Sequence, residues 1–302
     1  MAIKSSRTNG VGMVTIDHTR CSGCRLCVSV CKGAPLKWEN NRVVVDQTEG
    51  FGCYGCGHCM AVCPVGCIFV DGRCLSSDDV FDFLPTSKPA DYNQLIDLMR
   101  QRRSIRNFTE EEVSSEAINN IIAAAATAPM GIPPSEVGVV VISGRRKVRA
   151  FAADIVAQIR SMKWQISKPA VYMMRPLMSK DSFEVFLSFV PVLFEAIDEG
   201  ARNGQDLLFY DAPLVMMFHV SAFVDPVDSY IAATFAMLAA EAQGLGSCMI
   251  GSVAPVIKNS NKLKQKYGIP ANNQPGLAMI FGHPAISYRR GVQRTLASVK
   301  YI

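Results

Sequence analysis

The chain has 302 residues, a formal net charge of +5 and 49% hydrophobic residues. That length points to about two domains, each with enough apolar residues for its own core. The charge is mild and its cations are interleaved with acids, which excludes the basic, aromatic-studded stripe that nucleic acid needs. Ten of the 11 cysteines precede residue 75, and the remaining one is Cys248. An odd, lopsided set excludes a secreted disulfide framework and suits thiolates used as metal ligands in a reducing compartment. Residues 1–10 are polar, without an apolar signal core. The apolar stretches 212–224 and 230–251 are interrupted by His219, Glu241 and Gln243. A membrane span needs about 20 largely uncharged residues, so these read as a buried strand and a buried helix, with no membrane partner and a cytoplasmic location expected.

The first element is a strand at Val14–Ile16, followed by Cys21, Cys24, Cys27 and Cys31 in the spacing C-x2-C-x2-C-x3-C. A strand at Arg42–Val45 comes next. Cys53, Cys56, Cys59 and Cys63 then repeat the spacing, with Pro64 after them and a strand at Ile68–Val70. This is the bacterial ferredoxin pattern, in which the fourth cysteine of each run ligates the other cluster. One [4Fe-4S] cluster is expected on Cys21, Cys24, Cys27 and Cys63, and a second on Cys53, Cys56, Cys59 and Cys31. Gly23, Gly55 and Gly57 keep the loops thin, and each fourth cysteine is expected at the start of a short helix. Zinc is the competing reading, but zinc sites pair C-x2-C units across a long spacer rather than packing four cysteines into eleven residues twice. The first run departs from the pattern at Lys32, where proline is usual. Cys67 and Cys74 read as spare thiols near the second cluster, and Cys248 as core.

Polar, acidic residues from Ser76 to Asp82 and the prolines Pro85 and Pro89 mark a linker over 84–90. Asp91 then caps a helix that carries Leu95, Ile96 and Met99 on one face. This helix runs into Arg103-Ser104-Ile105-Arg106. Arginines this dense suit a phosphate dianion through paired, charge-assisted hydrogen bonds. They equally suit the last turn of a helix, where cations complement the dipole. Further on lie an alanine-rich helix ending in a proline–glycine loop (123–131), helical spacing at 151–164 and 183–197, and an apolar strand from Ala212. A second alanine-rich helix then runs into Gly244-Leu245-Gly246, and Phe281-Gly282-His283-Pro284 closes the domain. The glycines at 244 and 246 follow a helix, so they read as a C-cap and not as a dinucleotide-binding loop.

The order of these segments over 91–302 resembles the nitroreductase family, here behind a ferredoxin module. The resemblance implies an α+β fold: a two-cluster ferredoxin-like domain over 1–83, the linker, and an FMN-binding α+β domain with a helical insertion near 147–205. It implies FMN, with Arg103, Ser104 and Arg106 on its phosphate end and Arg290 and Arg294 approaching from the tail. Met130, Gly131 and Ile132 would line the ring, from a loop that the family often supplies across a homodimer. Met249, Ile250 and Gly251 would border the flavin's reactive nitrogen. Common members carry Asn and Gln-Pro-Trp after the ring loop, where this chain has Pro133-Pro134-Ser135-Glu136. In the insertion, Met173, Met174, Met178 and Phe186 are candidates to face substrate.

The combination implies an FMN-dependent oxidoreductase that takes single electrons at its clusters, or hydride from NAD(P)H, and reduces a nitroaromatic, quinone or similar conjugated acceptor. A ferredoxin-type carrier or sensor without turnover is the alternative, as is a flavin-dependent dehalogenase or ene reductase. Residues 1–83 carry eight Lys/Arg and eight Asp/Glu, so the whole +5 belongs to the remainder. A module made negative by its clusters favours internal docking, with an external ferredoxin as a further donor.

Overall fold

The computed structural model describes residues 6–8, 10–32, 35–83 and 90–302. The expected linker, 84–90, thus lies outside the described residues except for Ala90. The chain forms two units. One is Met1–Pro89 with Pro129–Val137 and Val220–Asp228; the other is Ala90–Ala128, Gly138–His219 and Ser229–Ile302. Two segments from within 91–302 therefore belong to the N-terminal unit, which a single break near 84–90 does not anticipate.

In the first unit β1 (Met13–Ile16) leads into the first cysteine run and helix α1 (Leu26–Val30). A hairpin follows, β2 (Leu36–Glu39) and β3 (Arg42–Val45), with Leu36 paired to Val45. Its two turn residues, Asn40 and Asn41, both have positive φ, the geometry of the tight hairpin turn that asparagine tolerates. Helix α2 (His58–Val62) then precedes β4 (Ile68–Asp71), which pairs antiparallel with β1. The strand before the first cysteine run is thus closed by the strand after the second. The core beneath is small, built on Leu36, Val43, Met60, Ile68 and Val70 with the cysteines packed around it. A core of that size needs staples, and metal clusters are one kind.

The second unit opens with α3 (Tyr92–Gln101), whose first amides, Asn93 and Gln94, donate to the Asp91 carboxylate at 2.9 and 3.2 Å. None of its residues is buried, and the apolar face with Leu95 and Met99 stays exposed. Helix α4 (Ser115–Ala126) buries Ile118, Ile121 and Ala125 and ends ahead of Pro129. Strand β5 (Val137–Ser143) leads into α5 (Arg145–Met162), α6 (Lys168–Met174) and α7 (Lys180–Arg202), so the insertion is helical as its spacing implies.

Strand β6 (Leu214–Val220) is buried at every position. Each of its large apolar side chains contributes about 1.5–3 kcal/mol by leaving water. Helix α8 (Val227–Ala242) lays small residues, Ser229, Ala232, Ala233, Ala236 and Ala240, against the core. A methyl group on Gly276 would fall 1.8 Å from Ser229 Oγ, so only glycine permits that approach. The amide of Leu245 donates to the Ala240 carbonyl at 2.9 Å around Gly244, whose φ is +75°. This is the helix C-cap expected there. Strand β7 (Gly246–Ile250), the short helices α9 (Val253–Lys258) and α10 (Asn261–Lys266), and β8 (Gln274–Gly282) complete the unit. The sheet order is β5-β6-β8-β7, with β7 antiparallel to β8. On one side of the sheet Phe151 stacks on Phe209 with centroids 5.2 Å apart, and Tyr267 meets Phe151 edge-on at 4.6 Å.

Candidate cofactor sites

The eight cysteines of the two runs line two separate cavities. One is lined by Cys31, Cys53, Cys56 and Cys59, together with His58 and Gly57. The other is lined by Cys21, Cys24, Cys27 and Cys63, together with Cys67. The fourth cysteine of each run is thus set among the first three of the other. The local reason differs from expectation. Each short helix begins near the third cysteine, and Cys31 and Cys63 follow the last residues of α1 and α2 rather than starting a helix. The end of the helix turns each of them away from its own loop. Gly23, Gly55 and Gly57 have φ of 70°, 71° and 73°, left-handed backbone that keeps these loops tight at no side-chain cost.

The thiols are crowded for groups that must ionise. Burial, with the charges of Cys53, Cys56 and Cys31 behind it, pushes Cys59 up to about 12. Burial likewise raises Cys27 and Cys53. At Cys63 burial is outweighed by backbone amides, and the thiol is lowered. The Cys67 amide lies 3.4 Å from Cys63 Sγ. Four repelling thiolates in a buried space call for a cationic core to hold them ionised. Among the described residues no three His, Cys, Asp or Glu side chains gather closely enough to hold a single metal ion. Thiols spread around a cavity suit a cubic cluster rather than a lone zinc. Cys67 belongs with the Cys63 site, its sulfur 3.5 Å from Cys63 Sγ, and not with the Cys31/Cys53/Cys56/Cys59 cavity. Cys74 is exposed and Cys248 buried.

In the second unit, extended backbone after α3 runs alongside β7. Ile105 N–H donates to the Ser247 carbonyl at 2.9 Å, and Ser104 bridges Ser247 in parallel. Side chains three apart on extended backbone face opposite ways, and the motif divides accordingly. Arg103 lines a cavity of about 620 Å³ with Arg290, Arg100, Arg289 and the carboxylate of Glu241. Its guanidinium donates to the Arg100 and Arg102 carbonyls at 2.6 and 2.7 Å, capping the end of α3. Arg106 instead lies over the Tyr210 ring, 5.6 Å from its centroid. It lines a cavity of about 830 Å³ with Met249, Ile250 and Gly251. Arg103 and Arg106 thus line different cavities. Ser247 Oγ is fully buried, lines neither cavity and has no hydrogen-bond partner among the described residues. Arg100, Arg103, Arg289 and Arg290 around one cavity fit a site for an anionic group.

The larger cavity is walled by the insertion, with Met173, Met174, Phe186 and Phe189 among its lining; Met178 does not reach it. Among the described residues, its only ionisable side chains are Arg106 and Tyr210. On β7, Met249 is 40% exposed between buried neighbours. Met130, Gly131 and Ile132 lie in the segment that belongs to the first unit. Arg294 lies in the exposed C-terminal tail and lines neither cavity. Tyr210 and Ser247 carried no motif and were not legible as site residues in the sequence.

The fold and these sites define an oxidoreductase architecture joined to an iron–sulfur module. Residues 99–283 match the model of the nitroreductase family, and residues 13–64 match that of a 4Fe-4S dicluster domain. The chain belongs to the nitroreductase family. A Bacillus subtilis relative named FMN reductase [NAD(P)H] is 28% identical over 194 residues, 64% of this chain and 67% of the relative. A ferredoxin of Methanocaldococcus jannaschii is 38% identical over 60 residues, 19% of this chain and 94% of its own. A nitroreductase with bound FMN from Desulfitobacterium hafniense shares the fold, with a TM-score of 0.52 at 20% identity over 70% of this chain and 100% of its own. One from Bacteroides fragilis has a TM-score of 0.51 at 17% identity over 70% and 98%.

Proposed function

We propose that this protein is an FMN-dependent oxidoreductase in which two [4Fe-4S] clusters feed electrons to the flavin for reduction of a nitroaromatic, quinone or similar conjugated acceptor. The observation that carries the reading is the presence, in one chain, of two cysteine-lined cavities and a nitroreductase-family domain. When bound, clusters pass electrons singly and flavin stores a pair, so the chain converts one-electron supply into two-electron reduction.

The ligand sets are Cys21, Cys24, Cys27 with Cys63, and Cys53, Cys56, Cys59 with Cys31. Arg103 and Arg290 hold the FMN phosphate from two sides of their cavity, with Ser104 beside them and Arg294 brought in from the tail. Arg106 puts a fixed cation beside the ring, where it favours the negative charge that reduction adds. The backbone at Ile250 and Gly251 donates to the ring edge, and Met130, Gly131 and Ile132 line the ring. Phe186, Phe189 and the methionines supply a water-poor, adaptable wall for a flat acceptor. No Asp, Glu or His lines that cavity among the described residues, so solvent supplies the protons.

The exposed apolar side chains of the insertion outside that cavity, Leu177 and Val192, and the unburied face of α3 support a homodimer that covers them. No helix among the described residues is long and apolar enough to cross a membrane, and eleven free cysteines suit a reducing cytoplasm. The test is anaerobic reconstitution followed by assay of iron, sulfide and FMN, then turnover of an acceptor panel with reduced ferredoxin or NAD(P)H as donor. Protein that assembles its clusters yet takes up no flavin would overturn the reading.

A further inference from the structure

Arg73 is a charged residue only 7% exposed, on backbone that side chains avoid. Its φ is 54° and that of Cys74 is 63°. Gly72 and Leu75 close the turn around them with reciprocal amide–carbonyl bonds of 2.8 and 3.1 Å. Two consecutive non-glycine residues in left-handed backbone persist only where the surroundings hold them, and such strain gathers at functional positions. What holds Arg73 is its guanidinium. Nε donates to the Tyr54 carbonyl at 3.0 Å, Nη1 to Gly10 O at 2.9 Å, and Nη2 to Ser6 Oγ at 3.2 Å and Pro133 O at 3.1 Å.

These partners are not equivalent. Tyr54 lies between Cys53 and Cys56, inside the loop of the second cysteine run. Pro133 directly follows Met130–Ile132. One rigid planar fork therefore bonds to both loops. Gly55 leaves room for it, since a methyl group there would come within 3.2 Å of Arg73 Cβ. A second strap acts on the same segment. Arg7 donates through Nη1 to the Ser135 carbonyl at 2.6 Å, and its amide to the buried Glu136 carboxylate at 2.7 Å. Tyr54, which accepts from Arg73, lines the Cys31/Cys53/Cys56/Cys59 cavity and not the other, whose Cys24 is exposed.

We propose that Arg73 is a positioning residue that couples the Cys31/Cys53/Cys56/Cys59 cluster to the flavin, making that cluster the exit for electrons and the Cys24 side the entry. This rests on the reading of 129–137 as the ring loop. In each step a reduced cluster loses one electron and FMN gains it. Two steps with two solvent protons reduce FMN fully, and a low-potential one-electron donor, reduced ferredoxin or dithionite, restores the clusters.

The test compares reconstituted wild-type protein with Arg73→Lys and Arg73→Met. It measures iron and FMN content, hydrogen exchange of the 129–137 amides, and the rate of cluster-to-flavin transfer after rapid mixing with dithionite. Electron transfer falls off only a few-fold per ångström of added separation, so transfer should slow several-fold in Arg73→Met and less in Arg73→Lys, which keeps a donor and the charge. Cofactor content should hold, the 129–137 amides should exchange faster, and direct flavin reduction by borohydride should be unchanged. If Arg73→Met does not fold, Arg73→Lys carries the comparison. Wild-type transfer rates with unaltered exchange of 129–137 would overturn the proposal. Wild-type protein without FMN would instead overturn the flavin reading beneath it, and accelerated exchange in the variants would mark that case apart.

Discussion

Gly246 lies against Ile105 so closely that a methyl group on it would meet Ile105 Cγ1 at 2.7 Å. The contact presses the arginine segment onto β7, next to the amide bond from Ile105 to Ser247. Gly246→Ala should push the segment off the strand, destabilise the domain by about 1–3 kcal/mol as overpacking does, and lower FMN occupancy. Thermal melting and flavin content of the purified variant check both effects.

The two arginines of the motif should fail differently. Arg103 lines the cavity shared with Arg290, so Arg103→Ala should weaken FMN binding by the value of a charged hydrogen bond, about 1.5–3 kcal/mol. It should leave riboflavin, which lacks the phosphate, little affected. Arg106→Ala should bind FMN and riboflavin with nearly the wild-type ratio and lower the flavin midpoint potential, because a cation beside the ring is gone. Fluorescence titrations with both flavins and a potentiometric titration separate the two.

Cys67 sits beside Cys63 without belonging to either run. Cys67→Ala should keep the full iron and sulfide content, whereas Cys24→Ala should lose about one cluster's worth. Iron analysis after identical reconstitution decides it.

Asp198, on α7, is 1% exposed at its side chain and is bonded to Arg160 at 2.6 Å and Lys163 at 3.3 Å, and to Arg202. The Arg160 guanidinium foremost, then Lys163 and Arg202, holds its carboxyl down at about 2. A carboxylate depressed below its unfolded value, about 3.9, stabilises the fold above that value. The contribution fades as pH falls from about 4 through 2. Wild type should therefore melt above Asp198→Asn at pH 6, and the gap should close as pH drops toward 2. Acid loss of the clusters affects both proteins and does not alter the difference.

What the sequence made legible follows from how local each signal is. The cysteine runs are local, eleven residues each, and Cys31 and Cys63 each line the cavity of the other run's first three cysteines. The Asp91 cap and the Gly244 C-cap are likewise local. The split between Arg103 and Arg106 depends on extended backbone after α3, and pairing with β7 imposes it. The placement of 129–137 with the N-terminal unit depends on Arg7 and Arg73, residues some 60 to 130 positions away with no motif around them. Tyr210 and Ser247 reach their places through tertiary packing alone. Cys31 and Cys63 end the short helices they are expected to start, because helices of five residues each carry almost no periodicity.

The central claim is that electrons entering at the clusters reach the flavin of the same protein. The most direct test is anaerobic rapid mixing of the reconstituted protein with less than one equivalent of reduced ferredoxin, followed in the visible. The account predicts that the cluster absorbance bleaches first and then recovers as the flavin band bleaches, at a rate independent of protein concentration. Cluster bands that stay bleached beside an oxidised flavin, or a flavin that bleaches with no preceding cluster phase, would contradict it.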